Sequence, residues 1–447
     1  MTRKYFGTDG IRGKANSALM SPEIALRLAL AAGRKFAGAS EQPVVVIGRD
    51  TRQSGGMIEA ALFAGFTSAG YHVQRAGVLP TPAVAMLTRQ IGANLGVMIS
   101  ASHNPYHDNG LKLFKTDGTK LSEADEVELE AMIDTAFETQ GVDASKIGFI
   151  TPLPDASAHY ANSLLLSVGI DSLEGLKVVL DCANGAALTT APGIFKHLKA
   201  DVTFIGTAPD GKNINDGVGS TSTAALKAAV LEKKAAIGIA LDGDADRLII
   251  IDETGTEIDG DQIIALIASQ LHAKGQLKGG GVVATIMSNM GLEQYLKTKG
   301  LHLVRTPVGD KHVAKHMRTE GYNVGGEPSG HIILSDTSTT GDGTLAALQV
   351  LSVLKESSAK MSVLGRQFTP APQKLINLKY TTRNPLEAPP VQKALKEAEA
   401  FLGEKGRMVV RTSGTEPLVR IMAEALDEEM MTRALAHVTK AVQAALA

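Results

Sequence analysis

Three aspartates at alternate positions, Asp242-Gly243-Asp244-Ala245-Asp246, followed by Arg247, give the strongest chemical signal in this chain of 447 residues. The small residues between them let the loop curl so that the carboxylates converge. Unaided, that convergence is unfavourable: each pair at about 4 Å costs roughly 4 kcal/mol at an effective dielectric near 20. A divalent cation relieves the repulsion, and all-oxygen ligation suits Mg²⁺. Asp-Gly is also common turn chemistry, so a solvated hairpin is the plain alternative. An EF-hand fits worse. Asp242, Asp244, Asp246 and Glu253 fall on its first, third, fifth and twelfth positions, but the sixth is Arg247 rather than glycine. The flanks, Ile237 to Leu241 and Leu248 to Ile251, are apolar and strand-like rather than helical.

A second constellation is Ser100-Ala101-Ser102-His103-Asn104-Pro105, with Lys112 shortly after. A serine at the end of a buried strand is a candidate nucleophile, His103 can orient or protonate it, and Lys112 can hold negative charge. Ordinary turn chemistry explains the same residues. No Gly-x-Ser-x-Gly elbow is present to support a hydrolase triad. Gly325-Gly326-Glu327-Pro328-Ser329-Gly330-His331 offers groups for sugar hydroxyls and an imidazole that could move protons, and an ordinary turn fits as well. Arg411-Thr412-Ser413-Gly414-Thr415-Glu416-Pro417, with Arg420 beyond it, describes a phosphate cradle: a guanidinium fork, hydroxyls and a glycine-opened backbone. Thr8-Asp9-Gly10-Ile11-Arg12-Gly13 and Arg49-Asp50-Thr51-Arg52 are weaker Arg-containing loops. One metal loop, one nucleophile and several cationic loops along one chain are a far less accidental set than any member alone.

These loops need elements to hold them. Val44 to Ile47, Leu95 to Ile99, Val178 to Leu180, Ile237 to Leu241 and Val282 to Ile286 are short apolar runs that end in polar loops, with helical patterns following. Buried strands alternating with helices indicate α/β units with mainly parallel sheets, whose ligands sit at the carboxyl ends of the strands. Ser21-Pro22-Glu23 reads as a helix start, with an N-cap, a first-turn proline and an acid at the positive end. Proline-containing stretches at Thr151 to Pro154 and Phe368 to Pro372, and a break near Glu253-Thr254-Gly255, divide the chain into 1–152, 153–253, 254–367 and 368–447. The first three read as related α/β domains. The last reads as a smaller α+β cap, with strands near 374–380, 408–411 and 419–422. Its two helices carry Val391, Leu395, Ala398 and Leu402 on one stripe, and Met431, Leu435, Val438 and Val442 on the other.

Composition narrows the partners. Lys plus Arg number 45 against 47 for Asp plus Glu, a net charge of −2, so no global basic excess is available to hold nucleic acid or an anionic membrane. Any anionic ligand must be held by a few local arginines. Trp is absent, and 7 Tyr with 11 Phe supply little aromatic platform for bases or sugars. Cys182 is the only cysteine, which excludes an internal disulfide and suits a reducing compartment. Met1 to Phe6 runs into polar Gly7 to Gly10 instead of an apolar core, unlike a signal peptide, and no stretch of about 18 apolar residues suggests a membrane span. The expected location is the cytoplasm.

In order along the chain, Lys4 to Gly13, Ser100 to Lys112, Asp242 to Arg247, Gly326 to His331 and Arg411 to Arg420 resemble the motif blocks of the α-D-phosphohexomutases, over the whole length. The N-terminal block, Val308-Gly309-Asp310-Lys311, Thr339 to Gly343 and Arg411 to Pro417 are most similar to the branch that acts on glucosamine phosphate. Pro328 stands where that branch commonly has glutamine, and Lys311 where it often has arginine. The resemblance implies three related α/β domains and a smaller C-terminal domain around a central cleft. It implies a mutase that interconverts glucosamine 6-phosphate and glucosamine 1-phosphate for UDP-N-acetylglucosamine and cell-wall synthesis. Ser102 would carry a phosphoryl group, and Asp242, Asp244, Asp246 and an oxygen of that phosphoserine would bind Mg²⁺. Glucosamine 1,6-bisphosphate would be the intermediate. Arg12, Lys112, Arg247 and His331 become candidates for stabilising the transferring group and for proton transfer, and His103 for shaping the serine loop. Glu327 and Ser329 would read sugar hydroxyls. Arg411, Ser413, Gly414, Thr415 and Arg420 would hold the phosphate that is not reacting. A sibling mutase for glucose or mannose phosphates, a sugar-phosphate phosphatase and a non-catalytic sensor remain as alternatives, and the oligomeric state, a homodimer included, stays open.

Overall fold

The apolar runs named above form strands whose residues are nearly all buried, among them Val44–Arg49, Leu95–Ile99, Lys177–Asp181, Ile237–Leu241 and Gly281–Thr285. Burial on both faces is what allows a continuous apolar sequence instead of an alternating one. The computed structural model describes residues 4–7, 9–138, 141–380, 384–412 and 418–446.

Four sheets organise these residues. The first runs, edge to edge, through Ile11–Lys14, Asp108–Lys115, Leu95–Ile99, Val44–Arg49, His72–Val78 and Ile150–Pro152. The second runs through Glu257–Ile258, Leu248–Asp252, Ile237–Leu241, Lys177–Asp181 and Asp201–Ile205. The third holds His302–Thr306, Gly281–Thr285, Val324–Gly326 and Ile332–Leu334. The fourth, Gln373–Lys379, Leu418–Ala425 and Gly406–Thr412, is antiparallel throughout and is covered by helices Pro389–Leu402 and Glu428–Leu446. The first three sheets share a parallel centre.

Each parallel centre ends in the same way. Its last strand turns back as an antiparallel neighbour: Leu95–Ile99 into Asp108–Lys115, Ile237–Leu241 into Leu248–Asp252, and Val324–Gly326 into Ile332–Leu334. The return of Asp108–Lys115 corrects one expectation, that a helix follows the apolar run Leu95 to Ile99, whereas Leu248–Asp252 is the strand-like run expected from the sequence. Asp108–Lys115 is buried over Asn109 to Phe114, including the side chain of Lys112. A lysine inside a strand hides the apolar period, and only the site chemistry explains its burial. The second sheet also extends past Glu253, because Glu257–Ile258 still pairs with Leu248–Asp252.

The helix starting at Pro22 is capped as its sequence implies, with the Ser21 side chain accepting from Ile24 N–H at 3.2 Å. One apolar core joins the second and third sheets to the helix Thr81–Gln90 of the first domain. A second fills the other side of the first sheet, and a third lies under the C-terminal helices, where Val391, Ala398, Leu402, Met431, Leu435, Val438 and Val442 are buried. Each fully buried Leu or Val contributes about 1.5–3 kcal/mol, so the shared core holds the three hairpin loops in fixed relation. Among the described residues, no helix is long and apolar enough to cross a membrane.

Candidate active site

The return loop after Leu95–Ile99 presents Ser102, 1% exposed, with its backbone in the left-handed region at φ 53°. That conformation is costly for a residue with a Cβ and persists only where the surroundings impose it. Here the Ser102 N–H donates to Ser100 Oγ at 2.9 Å, and the Ser102 carbonyl accepts from Arg52 and from Asn215. The bend aims the side chain at the second domain, where Ser102 Oγ donates to Asp242 Oδ2 at 2.5 Å. His103 Nδ1 lies 3.3 Å from the same Oγ. Burial, then the cations Arg247 and Arg12, push His103 down to about 4, so its ring is neutral near pH 7.

The return loop after Ile237–Leu241 carries the three aspartates, all buried, with one oxygen from each lying within 4.8 Å of the others. Ala245 takes a left-handed φ of 57° to curl the loop. Gly243 is required by close approach: a Cβ there would meet the Ser102 carbonyl oxygen at 2.7 Å. Asp244 Oδ2 accepts from Thr81 Oγ1 at 2.5 Å and from Lys112 Nζ at 2.8 Å, and Asp246 Oδ2 accepts from Lys112 Nζ at 2.8 Å. Asp244 Oδ1 and Asp246 Oδ1 are buried without a hydrogen-bond partner. Burial and the neighbouring Asp246 and Asp244 hold Asp242 well above the usual carboxylate range. Two orphaned carboxylate oxygens and a third carboxylate short of compensating charge fit a hard divalent cation with oxygen ligands. The strands on either side of the loop exclude the EF-hand arrangement.

Around this centre opposite charges alternate across three domains. Arg12 Nη2 meets Asp9 Oδ2 at 2.5 Å, and Lys112 Nζ lies 3.5 Å from the same oxygen. Lys120 pairs with Asp9 and, at 2.5 Å, with Asp310 Oδ2. His331 Nε2 is 3.1 Å from Asp310 Oδ2, and its Nδ1 is 3.6 Å from Asp246 Oδ1. Burial opposes the charged ring, yet Asp310 and Asp246 prevail and raise His331 to about 10. The Gly341 N–H also points at Nε2, from 3.1 Å. The two carboxylates favour a positively charged ring, whereas the Gly341 N–H favours a lone pair on Nε2, so His331 sits between the two demands.

The return loop after Val324–Gly326 is pinned to its neighbours. Gly260 N–H donates to the Pro328 carbonyl at 3.1 Å, Leu248 N–H donates to the Gly330 carbonyl at 2.9 Å, and Glu327 Oε1 accepts from Gly309 N–H at 3.2 Å. Gly330, at φ 87°, passes so close to Leu248 that a Cβ would sit 2.1 Å from its carbonyl oxygen. Pro328 has no N–H to donate, and the bond the loop needs from it uses its carbonyl, so proline is accommodated. Glu327 is half-buried and Ser329 exposed. In the C-terminal sheet Arg411 lies directly opposite Arg420, and burial together with Arg420 lowers the Arg411 guanidinium. Two facing cations suit an anion. The Nε groups of Arg12, Arg247 and Arg420 are likewise buried without partners. Ser413, Gly414 and Thr415 lie outside the described residues.

The structure thus brings Ser102, His103, Lys112, Arg12, Asp242, Asp244, Asp246 and His331 into one network. It adds residues to which sequence reasoning gave no role: Thr81, Asp9, Lys120, Asp310, Arg52 and Asn215. Asp9 and Asp310 sit inside sequence blocks already singled out, whereas Thr81 and Asn215 carry no separate signal. Lys311 stands apart, 3.3 Å from Glu126 and 3.8 Å from Glu123 on the helix Glu123–Asp134.

Comparison with known proteins agrees with this architecture. Four family profiles match in order, described as phosphoglucomutase/phosphomannomutase alpha/beta/alpha domain I over residues 3–140, domain II over 158–255, domain III over 259–370 and the C-terminal domain over 375–441. The chain is 58% identical over 446 residues to a phosphoglucosamine mutase of Hyphomonas neptunium, covering 100% of this chain and 99% of the relative. It is 54% identical over 444 residues to a phosphoglucosamine mutase of Phenylobacterium zucineum, covering 99% and 98%. Among solved structures, a phosphoglucomutase/phosphomannomutase family protein from Burkholderia thailandensis superposes with a TM-score of 0.82 at 24% identity, covering 98% of this chain and 97% of that one. N-acetylphosphoglucosamine mutase from Aspergillus fumigatus, solved with GlcNAc-6P and magnesium, gives a TM-score of 0.64 at 19% identity, covering 99% and 96%. Both likenesses concern the fold.

Proposed function

Because the chain belongs to the phosphoglucomutase/phosphomannomutase family, we propose that it is an isomerase interconverting glucosamine 6-phosphate and glucosamine 1-phosphate, with Ser102 as the phosphoryl carrier. The observation that carries the mechanism is the Ser102 hydroxyl, 2.5 Å from Asp242 at the mouth of the buried aspartate cluster. The choice of sugar is supported by more than 50% identity, over essentially the whole chain, to proteins described as phosphoglucosamine mutases.

Asp242, Asp244 and Asp246, with an oxygen of the phosphorylated serine, would hold one Mg²⁺. When bound, that ion supplies positive charge beside the transferring phosphoryl group. Everything else falls to the chain's own residues. The Ser102 Oγ–P bond breaks as a sugar hydroxyl oxygen bonds to phosphorus; the hydroxyl gives up its proton and the departing Ser102 Oγ gains one, leaving free serine and glucosamine 1,6-bisphosphate. The intermediate turns over in the cleft, and its other phosphoryl group returns to Ser102 Oγ as that P–O bond breaks. Lys112, Arg12, Arg247 and His331 are the N–H donors available to the equatorial phosphoryl oxygens, and such transfers depend mainly on positioning and charge. The neutral His103 ring can hold or return a proton at Ser102 Oγ. Glu327 and Ser329 would face the sugar hydroxyls. Arg411 and Arg420, with Ser413, Gly414 and Thr415, would grip the idle phosphate. A reducing cytoplasm suits this role, in which the enzyme supplies an amino-sugar 1-phosphate to nucleotide-sugar synthesis.

Substrate choice is tested by comparing specificity constants. The two candidate sugars differ in one substituent, an amine against a hydroxyl, and one charge-assisted contact contributes about 1.5–3 kcal/mol. The expected result is a kcat/KM about tenfold or more higher for glucosamine 6-phosphate than for glucose 6-phosphate, with residual activity on glucose 6-phosphate. An equal or higher value for glucose or mannose phosphate would assign the chain to a sibling activity and leave the phosphoserine mechanism standing.

A further inference from the structure

Two side chains grip the carbonyls of the serine loop. Asn215 Nδ2 donates to the Ser102 carbonyl at 2.9 Å and to the Asn104 carbonyl at 3.1 Å. Arg52 Nη2 donates to the same oxygens at 3.0 Å and 2.5 Å. Each carbonyl thus receives two hydrogen bonds, which fills both of its lone pairs. Arg52 belongs to the first domain, is 1% exposed, and is itself fixed by Asp50, which accepts from its backbone N–H at 2.9 Å and from its guanidinium. Asn215 comes from the second domain, on a loop whose backbone is tied to Ala183 by Asn215 N–H at 2.9 Å.

The domain seam repeats this theme. Thr51 Oγ1 donates to the Asn184 carbonyl at 2.6 Å, and Gln53 N–H donates to the Gly211 carbonyl at 2.9 Å. Gly243, within the aspartate loop, leaves room for both partners: a Cβ there would lie 2.7 Å from the Ser102 carbonyl oxygen and 2.9 Å from Asn215 Nδ2. Asn215 adopts φ 60°, a left-handed conformation that asparagine tolerates better than most residues.

We propose that Asn215 is a positioning residue for phosphoryl transfer: its amide locks the strained serine loop to the domain that carries the aspartates, fixing Ser102 Oγ against Asp242. Arg52 ties these carbonyls to the loop's own domain. Among the described residues, Asn215 is the side chain that ties the same two carbonyls to the domain of the aspartate loop. Misplacement of a reacting atom by about 1 Å costs on the order of 100-fold in rate, so a clamp of this kind acts on the chemical step and leaves sugar binding alone.

The inference rests on Ser102 as the phosphoryl carrier, and two variants test it. Asn215→Gly keeps the left-handed backbone free of strain and removes the amide. Asn215→Asp keeps the size and turns a carboxylate oxygen toward two carbonyl oxygens. The readout is the single-turnover rate constant for transfer from phosphorylated protein to glucosamine phosphate, which does not depend on how much of the sample is folded. Both variants are expected to lose about 10- to 100-fold in that constant, the aspartate variant more, with KM for the sugar phosphate within about twofold of wild type. Transfer at the wild-type rate in Asn215→Gly, or a loss confined to KM, would overturn the clamp. Failure of the underlying mechanism looks different: the unmodified protein would then carry no phosphoryl group on Ser102.

Discussion

Alanine at Ser102 removes turnover, by about 10⁴-fold or more, and leaves a folded protein. The size of the effect follows from the chemistry: Oγ is the atom that bonds to phosphorus, and no neighbour replaces a missing nucleophile. Ser100, the nearest other hydroxyl in the loop, is engaged by the Ser102 N–H at 2.9 Å and is fully buried. Alanine also keeps a Cβ at φ 53°, so the strain of the loop is unchanged, while Asp242 loses the donor at 2.5 Å. Ser102→Gly relieves the strain and should be equally inactive, which separates loss of the nucleophile from loss of the fold. Intact mass should show one phosphoryl adduct on the wild-type protein and none on either variant. Full activity in the alanine variant, or an adduct mapped to Ser100, would contradict the assignment.

Removing divalent metal has the second largest expected effect. With no cation present, the aspartate cluster relies on Lys112, which donates to Asp244 and Asp246 at 2.8 Å, while Asp242 accepts from Ser102 Oγ and Arg247 N–H and is still held above the usual carboxylate range by burial and by Asp246 and Asp244. Chelation should lower turnover by about 10³-fold or more, the scale of several kcal/mol of lost charge stabilisation, and added Mg²⁺ should restore it. Stability gives an independent readout, because a ligand that binds only the folded protein raises its Tm. Mg²⁺ should raise the Tm of the wild type. Asp244→Asn, which keeps the shape and removes one charge, should need at least about tenfold more Mg²⁺ for the same rise. Activity that resists chelator, together with a Tm indifferent to Mg²⁺, would refute the metal site.

Much of this centre was legible from local sequence because its cause is local. Alternate aspartates with small spacers can converge in a curled loop, and an apolar run that stops at a polar loop marks a strand end. The cap at Ser21 and the two C-terminal helix stripes are read from neighbours within a turn or two, and the structure buries the faces they predict. The returning strand Asp108–Lys115 was missed because a functional residue breaks its period: Lys112 is buried by Asp244 and Asp246, contributed by another domain. Partnerships across domains were invisible for the same reason. Lys120 joins Asp9 to Asp310, and Asn215 reaches Ser102, only after three sheets have packed on one another. Arg52 sat in a loop with no visible purpose, because its purpose is two backbone carbonyls, and these carry no sequence signal. The acidic loop shows the converse hazard. Its spacing also suits an EF-hand, and only the strands on either side decide against it.

The most direct test of the account follows the phosphorus itself. Purified protein with Mg²⁺, a trace of glucosamine 1,6-bisphosphate and glucosamine 6-phosphate is monitored by phosphorus NMR. The account predicts that the 6-phosphate signal declines as a 1-phosphate signal grows toward equilibrium, with no inorganic phosphate accumulating and no exchange in the Ser102→Ala protein. Release of inorganic phosphate without formation of the 1-phosphate would make the protein a phosphatase and contradict the account.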